Sequence, residues 1–271
     1  MRHTKACVVV LFVLSASAAL AQQPTGAAPA KPDEQKSVLS EVTFLTGYRF
    51  HLGAASIQAD DPRFGWDCYF GGDIDVVDYR YGRINLLADY EVMLGEEFRS
   101  IDPNQGNYYL DLSASARKGS AEFLGVFHHV SRHLGDRANR AGISWNTLGL
   151  KAIGTRASGP TTITYNGHLA KVLQAAFVDY AWEMGGGGEV QYRLSRRYGV
   201  LARADLTMMG VDRAVGNRDS QMGGKVEGAV RLYGTGAGIE AFAGWERRID
   251  PYPNERETQN WMIFGFRFIS R

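Results

Sequence analysis

Beyond its first twenty or so residues, the chain has no apolar run long enough for a membrane-spanning helix, which needs about 20 consecutive apolar residues. It has only two cysteines. Cys7 lies in the leading apolar stretch, so Cys68 alone remains once that stretch is removed, and an intramolecular disulfide is excluded. Charge of one sign is lacking too. Lys and Arg number 30 against 29 Asp and Glu, a net of +1. With no basic patch interleaved with aromatics, nucleic acid is not an expected partner. Nor is there a phosphate-binding loop. The run Gly185 to Gly188 lacks the strand-then-helix setting that a nucleotide loop needs, and is expected to mark a bulge or close contact within a strand.

Residues 1–21 read as an export signal. Arg2, His3 and Lys5 give a basic start, Val8 to Leu14 a short apolar stretch, and Ala19-Leu20-Ala21 an A-x-A cleavage site. Cleavage is expected after Ala21, by a Sec-type route. Residues 22–37, rich in Pro, Ala and polar groups without apolar period, read as a disordered lead-in. Residues 38–271 form the folded part. A secreted chain without disulfides is held by its own packing or by a membrane.

From there to the end, apolar and polar residues alternate with period two between turn signals. Leu86, Ala88, Tyr90, Val92 and Leu94 alternate with Asn85, Asp89 and Glu91. Val200, Ala202, Ala204, Leu206 and Met208 oppose Arg203, Asp205 and Thr207. The last segment, Met262, Phe264, Phe266 and Phe268, is aromatic-rich, like the terminal strand of outer-membrane barrels. About twelve such segments occur, each near the ten residues that a tilted transmembrane strand needs. The predicted fold is all-β, an antiparallel up-and-down transmembrane barrel. Its apolar face meets lipid and its charged face lines the lumen. A soluble, lipocalin-like binder would need the apolar face turned inward.

The connections favour the membrane barrel. Those after even-numbered strands look short, as at Tyr81-Gly82 and Lys118-Gly119. Several after odd-numbered strands look longer, as at Ala54 to Gly65, Glu96 to Gly106 and Val211 to Ser220. This is the asymmetry of bacterial outer-membrane barrels, with short periplasmic turns and long external loops. It places both termini in the periplasm and makes outer-membrane lipids the expected partners. Arg203, Asp205, Glu227 and Arg231 on the inward face are expected to pair across strands and narrow the lumen.

Candidate chemistry concentrates in Ser120 to Asp136, SAEFLGVFHHVSRHLGD, which holds three of the chain's six histidines. Period two puts His129, Ser131 and His133 on the lipid side, continuing Phe123, Gly125 and Phe127, with His128 facing the lumen near Glu122. Serine becomes a nucleophile when a base takes its proton, and the base needs an orienting partner. If the following hairpin is symmetric about the Gly135–Asn139 loop, Asn146 on the next strand falls opposite His129. The predicted catalytic residues are therefore Ser131, His129 and Asn146. Backbone N–H groups near Gly135 are candidates for oxyanion stabilisation. A metal site of His129, His133 and Asp136 is not expected, because the two imidazoles lie about 13 Å apart on an extended strand.

The H-x-S pair with a polar residue on the next strand resembles the lipid-facing site of the outer-membrane phospholipase and of the lipid A deacylase. The longer string His129-x-Ser131-x-His133-Leu134-Gly135-Asp136 resembles the H-x-S-S-H-L-G-D-E signature of a family of bacterial outer-membrane barrels of unknown function, with Arg132 and Arg137 departing from it. The first resemblance implies hydrolysis of lipid acyl esters; the second implies the barrel and no activity. Two functions stay open: a membrane-embedded serine hydrolase, and a non-enzymatic barrel, structural or a narrow channel. No cofactor is expected, and a need for Ca²⁺ is left open.

Overall fold

The computed structural model describes residues 42–135 and 142–270. The expected signal and lead-in, together with Asp136 and Arg137, fall outside the described residues. Twelve antiparallel strands run in chain order: β1 (Thr43–Gln58), β2 (Trp66–Tyr79), β3 (Gly82–Gly95), β4 (Asp102–Lys118), β5 (Ala121–Leu134), β6 (Gly142–Ser158), β7 (Thr161–Ala176), β8 (Tyr180–Arg193), β9 (Tyr198–Val211), β10 (Gln221–Tyr233), β11 (Ala237–Ile249) and β12 (Thr258–Ser270). Each pairs with its sequence neighbours, and β1 pairs with β12, for example Ala54 with Phe266. Closure leaves no unpaired sheet edge, which is what a β-structure crossing hydrocarbon requires.

The strands are longer than the alternation indicated, so the connections are shorter. After even strands they are 80–81, 119–120, 159–160, 194–197 and 234–236. After odd strands they are 59–65, 96–101, 135–141, 177–179, 212–220 and 250–257. The asymmetry holds except at 177–179. Gly119 and Gly159 open two of the tight turns with φ of 61° and 56°, where a Cβ would be strained.

The outward face is predominantly apolar. Leu150 is 74% exposed, Leu169 60% and Phe264 49%. Apolar exposure on this scale suits a hydrocarbon surround and would drive association in water. Aromatic rings cluster outward near the long-loop end, where Phe70, Tyr90 and Tyr108 stack side by side on β2, β3 and β4, centroids 5.5 and 4.7 Å apart. Such a row fits the girdle at a membrane interface.

The lumen is filled by charge. Glu240, fully buried, meets Arg231 at 2.5 Å and Arg267 at 2.8 Å, with Arg203 at 3.9 Å. Arg203 and Arg267 also bind Glu227, and Arg203 binds Glu189. Nearer the long loops, Arg248 joins Asp67, Glu91 and Glu246 at 2.6, 2.9 and 2.6 Å. Asp205 does not take part as the alternation suggested. It stands opposite Lys225, but that ammonium turns to Glu227 at 3.0 Å. Above these ion pairs an apolar cluster of Val130, Ile143, Trp145, Tyr180, Met209 and Ile249 fills the mouth.

The glycine run 185–188 lies in unbroken register with β7 and β9, so it is a close approach and not a bulge. A Cβ at Gly185 would come within 2.6 Å of the His168 ring and of the Leu206 carbonyl oxygen.

Candidate functional site

The register of β5 with its neighbours places the predicted residues. On the outward face Ser131 stands between Tyr108 of β4 and Ser144 of β6. It thus continues the Phe70–Tyr90–Tyr108 row, at girdle height. One step along the strand, His129 stands between Leu110 and Asn146, and Asn146 stands beside Gln174 of β7. Directly opposed residues bring side chains within contact distance, and the contacts follow. His129 Nδ1 lies 2.7 Å from Asn146 Oδ1, and Asn146 Nδ2 donates to Gln174 Oε1 at 3.3 Å.

These two bonds orient each other. With its nitrogen donating to Gln174, the Asn146 amide presents its oxygen to His129, and Nδ1 of the imidazole then donates. In the neutral imidazole this arrangement leaves the lone pair on Nε2. The imidazole is thus in the tautomer a general base on this face requires.

Ser131 is 8% exposed. Besides Tyr108 and Ser144, His133 flanks it. The His133 ring packs edge-on to Tyr108 at 6.0 Å, and a Cβ on Gly142 would meet His133 Nδ1 at 2.7 Å, so the missing side chain lets the ring lean over β6. Among the described residues no hydrogen bond joins Ser131 to His129. The structure therefore brings together His129 and Asn146, sets Ser131 two residues away on the same face, and gives His133 ring contacts in place of a shared ligand set.

One expectation is corrected. The Gly135 amide donates to the Asn104 carbonyl at 2.8 Å, so it is not free for an oxyanion. His128 is a hydrogen-bonded lumen residue, as parity predicts, and its partner is Asp111, directly opposite on β4, while Glu122 holds Arg83 at 2.9 Å.

Gln174 was not anticipated. Strict alternation turns Leu173 outward and Gln174 inward. The register slips between β6 and β7, where Asn146 pairs with Gln174 but Thr147 with Val172, so the extra residue swings Gln174 out. Period-two counting does not foresee a bulge. Lys171, also outward and exposed, was legible as two residues past Leu169.

No protein-family model and no curated sequence matches the chain. Among solved structures it is similar to LpxR from Salmonella typhimurium, at 6% identity and a TM-score of 0.50 over 82% of this chain and 99% of that one. It is also similar to OmpT of Vibrio cholerae, at 10% identity and a TM-score of 0.45 over 84% and 97%. At these identities the likeness is one of fold, and the fold of this chain is that of an outer-membrane β-barrel.

Proposed function

We propose that the chain is an integral outer-membrane protein that works at its lipid-facing wall, and that the β5–β6 hairpin hydrolyses lipid acyl esters. The observation that carries this reading is the His129 Nδ1 to Asn146 Oδ1 bond on the outward face. In water-facing proteins a His–Asn pair is commonplace. On a wall of Leu and Phe, a hydrogen-bonded polar row at girdle height has a reason to be there only if it meets the polar part of a lipid.

In the proposed reaction Ser131 Oγ attacks the acyl carbonyl while His129 Nε2 takes its proton. Asn146 holds the ring and stabilises the imidazolium by the bond at Nδ1. The alcohol leaves with the proton from His129, and water reverses the sequence to free the acid. Ser131 and His129 share a face two residues apart, so their Cα atoms lie about 7 Å apart. Catalytic contacts commonly tighten only when substrate enters, and here the substrate must part Tyr108 and His133. Residence in the outer membrane, export by the Sec route and periplasmic termini complete the proposal. Membrane residence is supported by the apolar wall and periplasmic termini by both ends of the barrel lying at its short-turn side, while the export route rests on the sequence of residues 1–21.

The test is release of fatty acid from phospholipid and lipopolysaccharide vesicles by refolded protein. Wild type is expected to release it and Ser131→Ala is not. Equal release by both would remove the hydrolase. Large, steady currents across a planar bilayer would favour the narrow-channel reading, which the filled lumen argues against.

A further inference from the structure

The outward positions of the described strands carry no carboxylate. The charges found there are Lys118, Arg156, Lys171 and Arg247, all basic. Lys118 and Arg156 sit beside the short turns at the far end of the wall. Arg247 is spent on the barrel itself, donating to the Met222 carbonyl at 2.9 Å and to Asn260 at 3.3 Å. Lys171 differs from these. It is exposed, stands opposite Leu148, and lies between Leu169 and Leu173 on its own strand. Among the described residues no acid pairs with it.

A cation on the lipid face costs about 2–4 kcal/mol at the bilayer midplane and about 0–1 near the interface. Lysine lowers that cost by running its apolar stem along the wall and lifting the ammonium towards the headgroups. The position suits this. Leu148 and Lys171 form the outward row next below Asn146 and Gln174, which is itself next below Ser131 and Ser144 in the aromatic row. An ammonium rising from Lys171 arrives beside Gln174 and Asn146. At the end of β7 a rim cavity of ≈ 810 Å³ opens, lined by Gln174, Phe177, Val215 and Arg256, together with Asp212 and the paired Asp179 and Arg218. Arg256 is held there by backbone carbonyls of Phe177 and Pro253.

We infer that Lys171, with Gln174 beside it, forms a binding site for the phosphate of an anionic lipid, and that the rim cavity receives the rest of the headgroup. The inference deepens the proposed function, on which its catalytic meaning rests: the substrate is a phosphate-bearing anionic lipid. Its acyl chains lie along Leu148, Leu150 and Leu169, and its phosphate lies at the Gln174 row, level with His129. Lys171 is a positioning and specificity residue and not a catalytic one. A zwitterionic lipid offers the same phosphate but brings its own cation, which competes with the lysine.

The experiment is lipid retention measured by native mass spectrometry. The full protein is purified from micelles holding equal amounts of phosphatidylglycerol and phosphatidylcholine. Wild type is expected to retain phosphatidylglycerol preferentially. Lys171→Gln should lose about fivefold of that preference, the share of one basic side chain near a charged surface. Lys171→Arg and Lys118→Gln should keep it. Heat-modifiable migration in SDS checks that each variant is folded, and Lys171→Met is the substitute if Lys171→Gln is not. Undiminished preference in a folded Lys171 variant overturns the site, as does a wild type with no preference. Displacement of the lipid by millimolar inorganic phosphate would overturn its assignment to a lipid headgroup. Retention is read apart from fatty-acid release, so failure of the hydrolase reading and failure of the lipid site are separately visible.

Discussion

His129 and Asn146 face each other across one antiparallel strand pair, Nδ1 to Oδ1 2.7 Å, on the outer wall of a barrel whose inside is packed with ion pairs. The bond fixes which imidazole nitrogen is basic. Asn146→Ala removes the acceptor and frees the ring to turn or to change tautomer. Fatty-acid release should fall by about 10²–10⁴, the range for disturbing a general base, while His129→Ala should match Ser131→Ala. Asn146→Asp should retain more activity than Asn146→Ala, because a carboxylate still accepts from Nδ1. Equal rates for Asn146→Ala and wild type would remove Asn146 from the mechanism.

Gln174 supplies the second test of that geometry. It receives the Asn146 amide and so decides which way the amide points. Gln174→Leu leaves the wall apolar and folded. The amide then loses its orienting partner, and a modest loss of about 0.5–1.5 kcal/mol, the worth of a typical hydrogen bond, is expected in kcat. Gln174→Glu keeps an acceptor for the Asn146 amide, so kcat should stay near wild type, while its charge beside the lipid phosphate raises KM. A fall with Glu as large as with Leu would show that Gln174 acts otherwise.

The fold was legible because period-two alternation, repeated from about residue 42 to the end, was joined to short and long connections in turn. The pairing of His129 with Asn146 was legible for the same reason, since both lie on a hairpin with no bulge on the β5–β6 side. What escaped lay at irregularities. Gln174 needed the register slip against β6, which no side-chain pattern announces. The lumen-facing side of His128 was legible from parity, but its partner was not, because in a sheet it comes from the neighbouring strand, here Asp111. Loop lengths were overestimated wherever polar residues continue a strand past its apolar part, as Asp102 to Asn107 do at the start of β4.

The mouth of the barrel should respond to acid. Arg218 reaches from 212–220 to Asp179 at 2.7 Å and to Asp250 at 2.6 Å, tying three connections together. Across the rim, Arg63 joins Asp61 at 2.6 Å and Glu255 at 2.5 Å. Hydrogen bonds from Arg218 and Arg63 hold Asp179 and Asp61 below their ordinary pKa. A carboxylate with a depressed folded pKa contributes stability that is fully present above its ordinary value and lost as pH falls through the folded one. Hydrogen-exchange protection in 212–220 and 250–257, taken relative to the intrinsic rate at each pH, should therefore hold from neutral pH down to the ordinary carboxylate range and fall below it. Arg218→Ala should show the low protection already at neutral pH. Protection independent of pH in wild type would show that the ties do not hold the loops.

The strongest stability prediction concerns Glu240. It is fully buried among Arg203, Arg231 and Arg267, and each of those guanidiniums also has a second acid partner on another strand. Removing one partner from a buried charged network leaves its neighbours uncompensated and costs about 3–5 kcal/mol, more than the pair itself contributes. Glu240→Ala leaves three arginines around an empty space, whereas Glu240→Gln keeps the shape and part of the hydrogen bonding. In guanidinium unfolding from lipid vesicles, Glu240→Ala should lose about 3–5 kcal/mol and Glu240→Gln clearly less. The same variant tests the lumen. With the carboxylate gone the arginines repel one another and draw in water and anions, so Glu240→Ala should conduct in planar bilayers, with anion preference, where wild type does not. Stability and conductance both unchanged in Glu240→Ala would mean that the network neither supports the barrel nor closes it.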